Sequence, residues 1–346
     1  MNSSGQKTDI EKFNQQHDNF FAIYHKVGSF CSGIPNEKPF GDEQNKVCRF
    51  CKKSLNETSF DKKAHIIASF LDGLDHIQFN ECDKCNETFS KQEQSLANFI
   101  GLRRFFRTPD QFGKSKSPIY TDPKTGLTLY GSDKGIVIEN AKDIIIQNGP
   151  DEFSIPATKL PYTPLNIFKT FIKFYYSFLT DESIKFYSGV EKFLISNDMD
   201  NDPWVQFCSK NVVHSVSSGE IDTPCPILFF FEKRPDISEN YYPKVIFVIF
   251  IYNSMFQIIP PFNIFDKDLI SNPRRTMPVY PYFLNKEIPR ISYNSEFNGL
   301  DFSSTEKIKD EKEVFKVTSL AGSQILSYTE EEYNKLGRRG KKNKTI

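Results

Sequence analysis

The sequence has no excess of either charge, few methionines and no long apolar segment. Its 346 residues include 44 Lys+Arg, 44 Asp+Glu, 4 Met and 1 Trp, and the formal net charge is zero. A net charge of zero argues against a protein that binds nucleic acid over its whole surface. Any such binding must come from local basic patches. The longest apolar run, residues 245–252, has eight residues, whereas a membrane span needs roughly 20. We therefore expect a buried strand there and no membrane partner.

The first residues also lack the apolar segment behind a basic start that marks a secretory signal. We therefore expect a cytoplasmic protein, in which cysteines stay reduced. Four of the seven cysteines form two C-x-x-C pairs, Cys48 with Cys51 and Cys82 with Cys85. In a reducing compartment, such pairs indicate a metal rather than disulfides. Two tight turns of this kind complete a four-sulfur set that suits Zn²⁺, so we predict a closed, structural zinc site.

Composition divides the chain into four segments. We interpret residues 1–45 as a polar leader, residues 46–118 as a cysteine-rich module with a basic extension, residues 119–330 as a regulatory or assembly domain, and residues 331–346 as a basic tail. Mixed strand-like runs and a pair of helix-like runs are typical of an α+β protein.

The third segment contains the clearest secondary-structure signals. Short β-branched runs over residues 126–148 predict a small sheet. Thr163-Pro164 opens an apolar stripe of helical period, and a second helix is expected from Thr180 to about Leu194. Residues 225–262 read as buried strands, with a hairpin at Asn253-Ser254. The segment is thus predicted to hold a helical pair and buried strands.

Four elements within residues 46–101 occur together in an order known from one nuclease family. They are the first C-x-x-C, the His of K-A-H-I-I, the run C-x-x-C-N, and the helix F-S-x-x-E-x-x-L-A-N-F. In this combination the segment resembles the HNH endonuclease family, in its zinc-stabilised branch with a C-x-x-C on either side of the catalytic hairpin. The resemblance implies an N-terminal ββα-metal module and hydrolysis of DNA phosphodiester bonds.

The resemblance also implies roles for individual residues. His65 would be the general base that takes a proton from the attacking water, and Asn86 would hold the hairpin and orient that histidine. Asn98 on the following helix would bind one catalytic divalent ion, Mg²⁺ or Mn²⁺, with Glu93 as a second candidate ligand. The chain departs from the family pattern at Ala64, where many relatives carry a metal ligand.

Two alternatives accompany this assignment. Asp75-His76 is textually a closer match to the family's acidic-His dipeptide, but it lies so close to Cys82 that we favour His65 on spacing. The cysteine module could instead be a non-catalytic zinc ribbon that binds nucleic acid or a partner, with Ala64 marking a decayed site.

A basic stretch follows the predicted nuclease helix. Five cations lie within residues 101–118 against a single Asp110, and we expect them to contact DNA phosphates. These cations are Arg103, Arg104, Arg107, Lys114 and Lys116. By family resemblance, we expect a regulated anti-phage or anti-plasmid defence effector. Its expected partners are DNA, a second copy of the chain, and an operon-encoded ATPase or short Argonaute.

Overall fold

The computed structural model describes most of the chain as one mixed α+β assembly. The described residues are 3–31, 40–71, 76–105, 119–132, 135–141, 144–149, 152–216, 226–271, 277–281 and 297–318. The helices are α1 (Ser3–Ile23), α2 (Asp83–Ile100), α3 (Pro164–Phe178), α4 (Asp181–Ile184), α5 (Val190–Ile195) and α6 (Pro203–Lys210). The strands are β1 (Tyr24–Cys31), β2 (Ile119–Thr121), β3 (Thr128–Ser132), β4 (Gly135–Glu139), β5 (Ile146–Gln147), β6 (Glu152–Thr158), β7 (Val212–Val216), β8 (Ile227–Lys233), β9 (Val245–Ile251), β10 (Ser254–Ile258), β11 (Phe297–Leu300) and β12 (Lys312–Thr318).

The main sheet is antiparallel and has the order β1-β8-β9-β10-β7-β11. Its centre is the predicted hairpin of β9 and β10, in which both strands are fully buried. The chain reverses at residues 252–253, where Tyr252 adopts a positive φ of 54°. The apolar run at 245–252 is therefore a central strand, as its length and β-branched content predict.

Helix α3 lies between the sheet and α2, which explains why nearly all of its residues are buried. It begins at Pro164 after Thr163, as predicted. Its aromatic side chains pack on the sheet, for example Phe171 against Phe256 at 5.1 Å between ring centroids. Its opposite side packs along α2, so both faces are buried and a helix with one apolar stripe would not suffice.

The second predicted helix is divided into two short ones. Thr180 caps α4 by accepting a hydrogen bond from the Ser183 amide, as its sequence suggests. The helix stops after one turn, and α5 begins only after Gly189, which has a φ of 108°. A left-handed residue at that point is incompatible with a continuous α-helix, so the periodic apolar residues belong to two elements.

The segment interpreted as a polar leader is part of the main fold. Strand β1 pairs with β8 at the edge of the main sheet, and Phe20 of α1 packs against Phe231 at 5.0 Å. Composition did not show this, because α1 carries few apolar residues and β1 is half-exposed, as an edge strand can be.

The hydrophobic cores follow different boundaries from the predicted domains. One continuous core includes the cysteine module, α3 and the main sheet. A second, smaller core joins the sheets β2-β3-β4 and β12-β6-β5 around Tyr120, Leu129 and Ile155. Residues 119–158 and β12 therefore pack as a separate β unit, whereas α3 and the main sheet share their core with the cysteine module. The basic tail at 331–346 lies outside the described residues.

Among the helices that the structure describes, none combines the length and the apolar character needed to cross a bilayer.

Gly101 ends α2 in a backbone conformation (φ 64°, ψ −136°) that is close to glycine-only. A Cβ atom there would collide with the carboxylate of Glu313, which accepts a hydrogen bond from the Leu102 amide at 3.0 Å. We expect Gly101→Ala to lower the free energy of unfolding by about 2–4 kcal/mol, measured by urea titration. Gly126→Ala is the control, because Gly126 also has a positive φ but nothing lies within 4 Å of its Cβ position. Equal losses in both variants would contradict a role for the Glu313 contact.

Candidate metal centre and catalytic hairpin

The first cysteine pair lies on a tight turn. The Lys52 amide donates to the Cys48 carbonyl at 2.9 Å, and the Cys48 amide donates to the Lys53 carbonyl at 2.8 Å. Lys52 closes the turn with a positive φ of 60°. This local geometry brings the side chains of Cys48 and Cys51 to one side of the turn.

The second cysteine pair lies at the start of a helix. Cys82 is the N-cap residue of α2 and Cys85 is in its first turn, where the Asn86 amide donates to the Cys82 carbonyl at 2.9 Å. The start of the helix therefore positions these two sulfurs.

The four ligand atoms lie within 4.8 Å of one another. The Sγ atoms of Cys51 and Cys82 are 3.6 Å apart, close to the roughly 3.8 Å between sulfurs on a tetrahedral zinc with Zn–S bonds near 2.3 Å. Three of the thiols are buried and Cys51 is half-buried. The donor set and spacing therefore fit a closed tetrathiolate metal site, and zinc is the metal that such a set prefers.

The close approach of these thiols shifts their pKa values in opposite directions. A hydrogen bond from Cys85 lowers the pKa of Cys48 to about 4, whereas burial raises the pKa of Cys51 to about 11. Contact with Cys48 raises the pKa of Cys85. Sulfurs this close cannot all carry charge by themselves, and a bound divalent ion deprotonates its coordinating thiols.

A short β-hairpin lies between the two cysteine pairs. The Ile66 amide donates to the His76 carbonyl at 3.0 Å, and the Gln78 amide donates to the Ala64 carbonyl at 2.9 Å, with His65 opposite Ile77. The hairpin precedes α2, so the segment has the order strand, strand, helix. His65 is half-buried on the first strand.

The alternative histidine belongs to the second strand of the same hairpin. His76 is 2% exposed, and its ring packs edge-on against Phe30 at 4.3 Å. The preference for His65 on spacing stays a prediction. Of the two, His65 is the more accessible to a substrate.

Glu93 is paired with a buried lysine. Its Oε1 lies 3.3 Å from Nζ of Lys173 on α3, and Glu81 Oε2 lies 3.7 Å from the same nitrogen. The side chains of Lys173, Glu81 and Glu93 are 2%, 0% and 18% exposed. Burial raises the pKa of Glu81 to about 8 and raises that of Glu93, and the Lys173 charge opposes both shifts. Lys173 thus supplies the cation beside Glu93.

Asn98 lies on a different face of α2 from Glu93. Five residues along α2 correspond to about 140° around the helix axis. The Asn98 amide donates to the Pro161 carbonyl at 2.8 Å and its oxygen accepts from Gln94 at 2.7 Å. As arranged here, Glu93 and Asn98 do not converge on one ion, so this pair does not fit the predicted Mg²⁺ or Mn²⁺ site. Asn86 is half-buried in the second turn of α2.

The basic stretch is only partly described. Arg103 donates to the Ser254 hydroxyl at 2.8 Å, and the Arg104 guanidinium lies 5.7 Å from the centre of the Phe70 ring. Burial lowers the pKa of Arg104. Both side chains are half-buried and packed against the protein, while Arg107, Lys114 and Lys116 lie outside the described residues.

Arg49, between the first two cysteines, joins the metal centre to α3. Its Nη1 donates to the carbonyls of Tyr176, Ser177 and Leu179 at 2.8–3.0 Å. These carbonyls lie at the C-terminal end of α3, where the Tyr176 carbonyl also accepts a hydrogen bond from the Leu179 amide at 3.3 Å. A cation there complements the helix dipole. Arg49 therefore hydrogen-bonds the turn that carries Cys48 and Cys51, which we call the metal turn, to the C-terminal end of α3.

Sequence analysis missed Arg49, Lys173 and Glu81. One signal was available for Lys173, because a lysine inside a continuous apolar helix pattern must find a buried partner. No such signal identified its partners, which lie in the hairpin and on α2, 80 to 108 residues earlier in the chain.

Comparisons of the chain with protein-family models, with characterised proteins and with solved structures find no match.

We expect the purified protein to contain one zinc per chain, measured by plasma mass spectrometry. Cys85→Ser should lose the metal and lower Tm by roughly 5–15 °C, because the ion closes a site between two distant segments. Cys31→Ser is the matched control, since Cys31 lies at the end of β1, outside the four-cysteine group. Full zinc occupancy in Cys85→Ser would contradict the assigned ligand set.

We expect Arg49→Met to lower the free energy of unfolding by about 2–4 kcal/mol, because three buried carbonyls lose a charged donor. Asp181→Ala should change it little, since the Asp181 side chain is 92% exposed and lies 3.4 Å from Arg49. Chemical denaturation of both variants checks this difference. Equal effects would mean that the ion pair, rather than the helix cap, is the stabilising contact.

Proposed function

We propose that the chain is a zinc-stabilised HNH-type endonuclease that hydrolyses DNA phosphodiester bonds, with His65 as the general base. The observation that carries this proposal is the order of the elements: a hairpin with an accessible histidine between two cysteine pairs, followed by a helix that starts on the second pair. This arrangement supports the resemblance of residues 46–101 by geometry as well as by motif.

In the proposed reaction, the His65 imidazole accepts a proton from the water that attacks phosphorus. The P–O bond to the leaving sugar oxygen then breaks, and that oxygen is protonated by solvent. The zinc would have a structural role, because four cysteines leave it no open position. Asn86 would orient the hairpin, and the basic residues 103–116 would contact phosphates.

The family resemblance further implies a catalytic Mg²⁺ or Mn²⁺ ion. Because Glu93 is paired with Lys173 and Asn98 with Gln94 and Pro161, we derive no reaction step through this ion. We propose a metal requirement as a property to be measured. The biological role proposed by resemblance is a cytoplasmic anti-phage or anti-plasmid effector, acting with a second copy of the chain or with an operon-encoded ATPase or short Argonaute.

A second candidate is a non-catalytic zinc module that binds nucleic acid or a protein partner. One observation favours this candidate. Glu93 and Asn98, the two predicted ligands of the catalytic ion, do not converge, and Glu93 is paired with Lys173. DNA binding without cleavage under all metal conditions would favour this candidate.

Nicking of supercoiled plasmid in Mg²⁺ or Mn²⁺ tests the proposal. We expect His65→Ala to reduce the cleavage rate by about 10²–10⁴-fold, the usual contribution of a general base. His17→Ala is the control, because His17 lies on α1 and contacts Asp18 rather than the hairpin. Equal cleavage by wild type and His65→Ala would contradict the assignment. Inactivity of the wild type would first call for assay with the neighbouring gene product.

A further inference from the structure

The contact between α3 and the hairpin is centred on one buried ammonium. Lys173 Nζ donates to the backbone carbonyls of His65 and Ile66, the latter at 3.1 Å, and it also faces Glu93 and Glu81. Four oxygen neighbours surround a group with three N–H donors. The side chain is 2% exposed, so it does not serve as a contact for substrate.

The strand that carries His65 has little support of its own. Two backbone hydrogen bonds connect residues 64–66 with residues 76–78, and an isolated two-stranded hairpin is marginally stable at best in water. A charged donor on two consecutive carbonyls of that strand is stronger than either neutral bond. Lys173 therefore restrains the backbone at the residue whose side chain would accept the proton.

The carboxylates of Glu81 and Glu93 in turn restrain Lys173. Glu81 lies just after the second strand of the hairpin, and Glu93 lies on α2. The Lys173 ammonium, which belongs to α3, therefore lies beside both the hairpin and α2. A lysine side chain loses its rotamer freedom when it is held at several points. The result is a fixed link from the main core to the first strand.

We propose that Lys173 is a positioning residue for His65, contributed by α3 outside the cysteine module. It holds the His65 backbone at the distance from α2 at which the imidazole can reach a bound phosphodiester. The catalytic consequence rests on the proposed nuclease function, whereas the restraint on the hairpin does not. The cysteine module is consequently incomplete as a nuclease without α3.

The same helix provides a matched control. Lys169, one turn earlier, is 1% exposed and forms an ion pair with Asp200 at 2.7 Å. It also donates to the Ser196 carbonyl at 2.8 Å, and these partners lie beyond α5, away from the hairpin. Lys169→Met removes a buried ammonium from α3 without touching the His65 strand.

The experiment combines amide hydrogen exchange by mass spectrometry with plasmid nicking, on the full chain with zinc bound. In Lys173→Met we expect exchange of residues 62–71 and 76–82 to accelerate by at least tenfold, with full zinc content. We expect kcat to fall at least tenfold and KM to change less than twofold. Lys173→Arg should recover part of both losses. Lys169→Met should leave hairpin exchange and kcat within twofold of wild type.

A second variant covers the case in which Lys173→Met does not fold. Lys173→Met with Glu81→Met leaves no unpaired carboxylate at the fully buried position, and a buried pair replaced by apolar residues is often tolerated. The same exchange pattern is expected in it. Failure of all Lys173 variants to fold would assign this residue to global stability and overturn the positioning role.

The two hypotheses fail in different ways. Unchanged hairpin exchange in the folded Lys173 variants, or equal hairpin exchange in Lys173→Met and Lys169→Met, overturns the inference whatever the nuclease assay shows. A wild type that never cleaves DNA contradicts the nuclease function and overturns the catalytic part of the inference. If the expected exchange pattern is still seen, Lys173 restrains the hairpin for structural reasons alone.

Discussion

A buried ammonium and a half-buried guanidinium join the cysteine module to the rest of this protein. Lys173 reaches from α3 to the hairpin, and Arg49 reaches from the metal turn to the end of α3. Charged groups removed from water must find partners, or the fold loses several kcal/mol at each of them. Because each cation binds only when both segments are in place, the two contacts define how the module lies on the central helix.

This constraint explains why the cysteine module does not form a separate domain. A segment of about 55 residues has too small a core for independent stability and depends on a metal or on neighbours. Here the four cysteines enclose a metal-sized site, and Phe50 packs against Phe89 and Tyr176. A metal bound there would hold the turn to α2, and the two cations hold both elements to α3.

The position of the candidate catalytic group therefore depends on two regions of the chain. His65 comes from the hairpin, but its backbone carbonyl is held by a residue more than 100 positions later in the chain. Glu93, expected as a ligand of a catalytic ion, pairs with that residue instead. The geometry therefore supports the proton-accepting part of the proposed mechanism better than its metal part, and the non-catalytic alternative depends on this difference.

Local chemistry was enough to predict the four-cysteine set, the start of α3 at Pro164 and the buried hairpin of β9 and β10, because each depends on spacing or composition within a short segment. The division of the second helix at Gly189, the pairing of β1 with β8, and the partners of Lys173 and Arg49 required the tertiary structure. Side chains distant in the chain meet only when the core forms, and a lysine or glutamate has the same appearance in sequence whether it is solvated or buried in an ion pair. For that reason the sequence alone determined which four cysteines could bind a metal, while the folded chain decided which charged groups lie beside them.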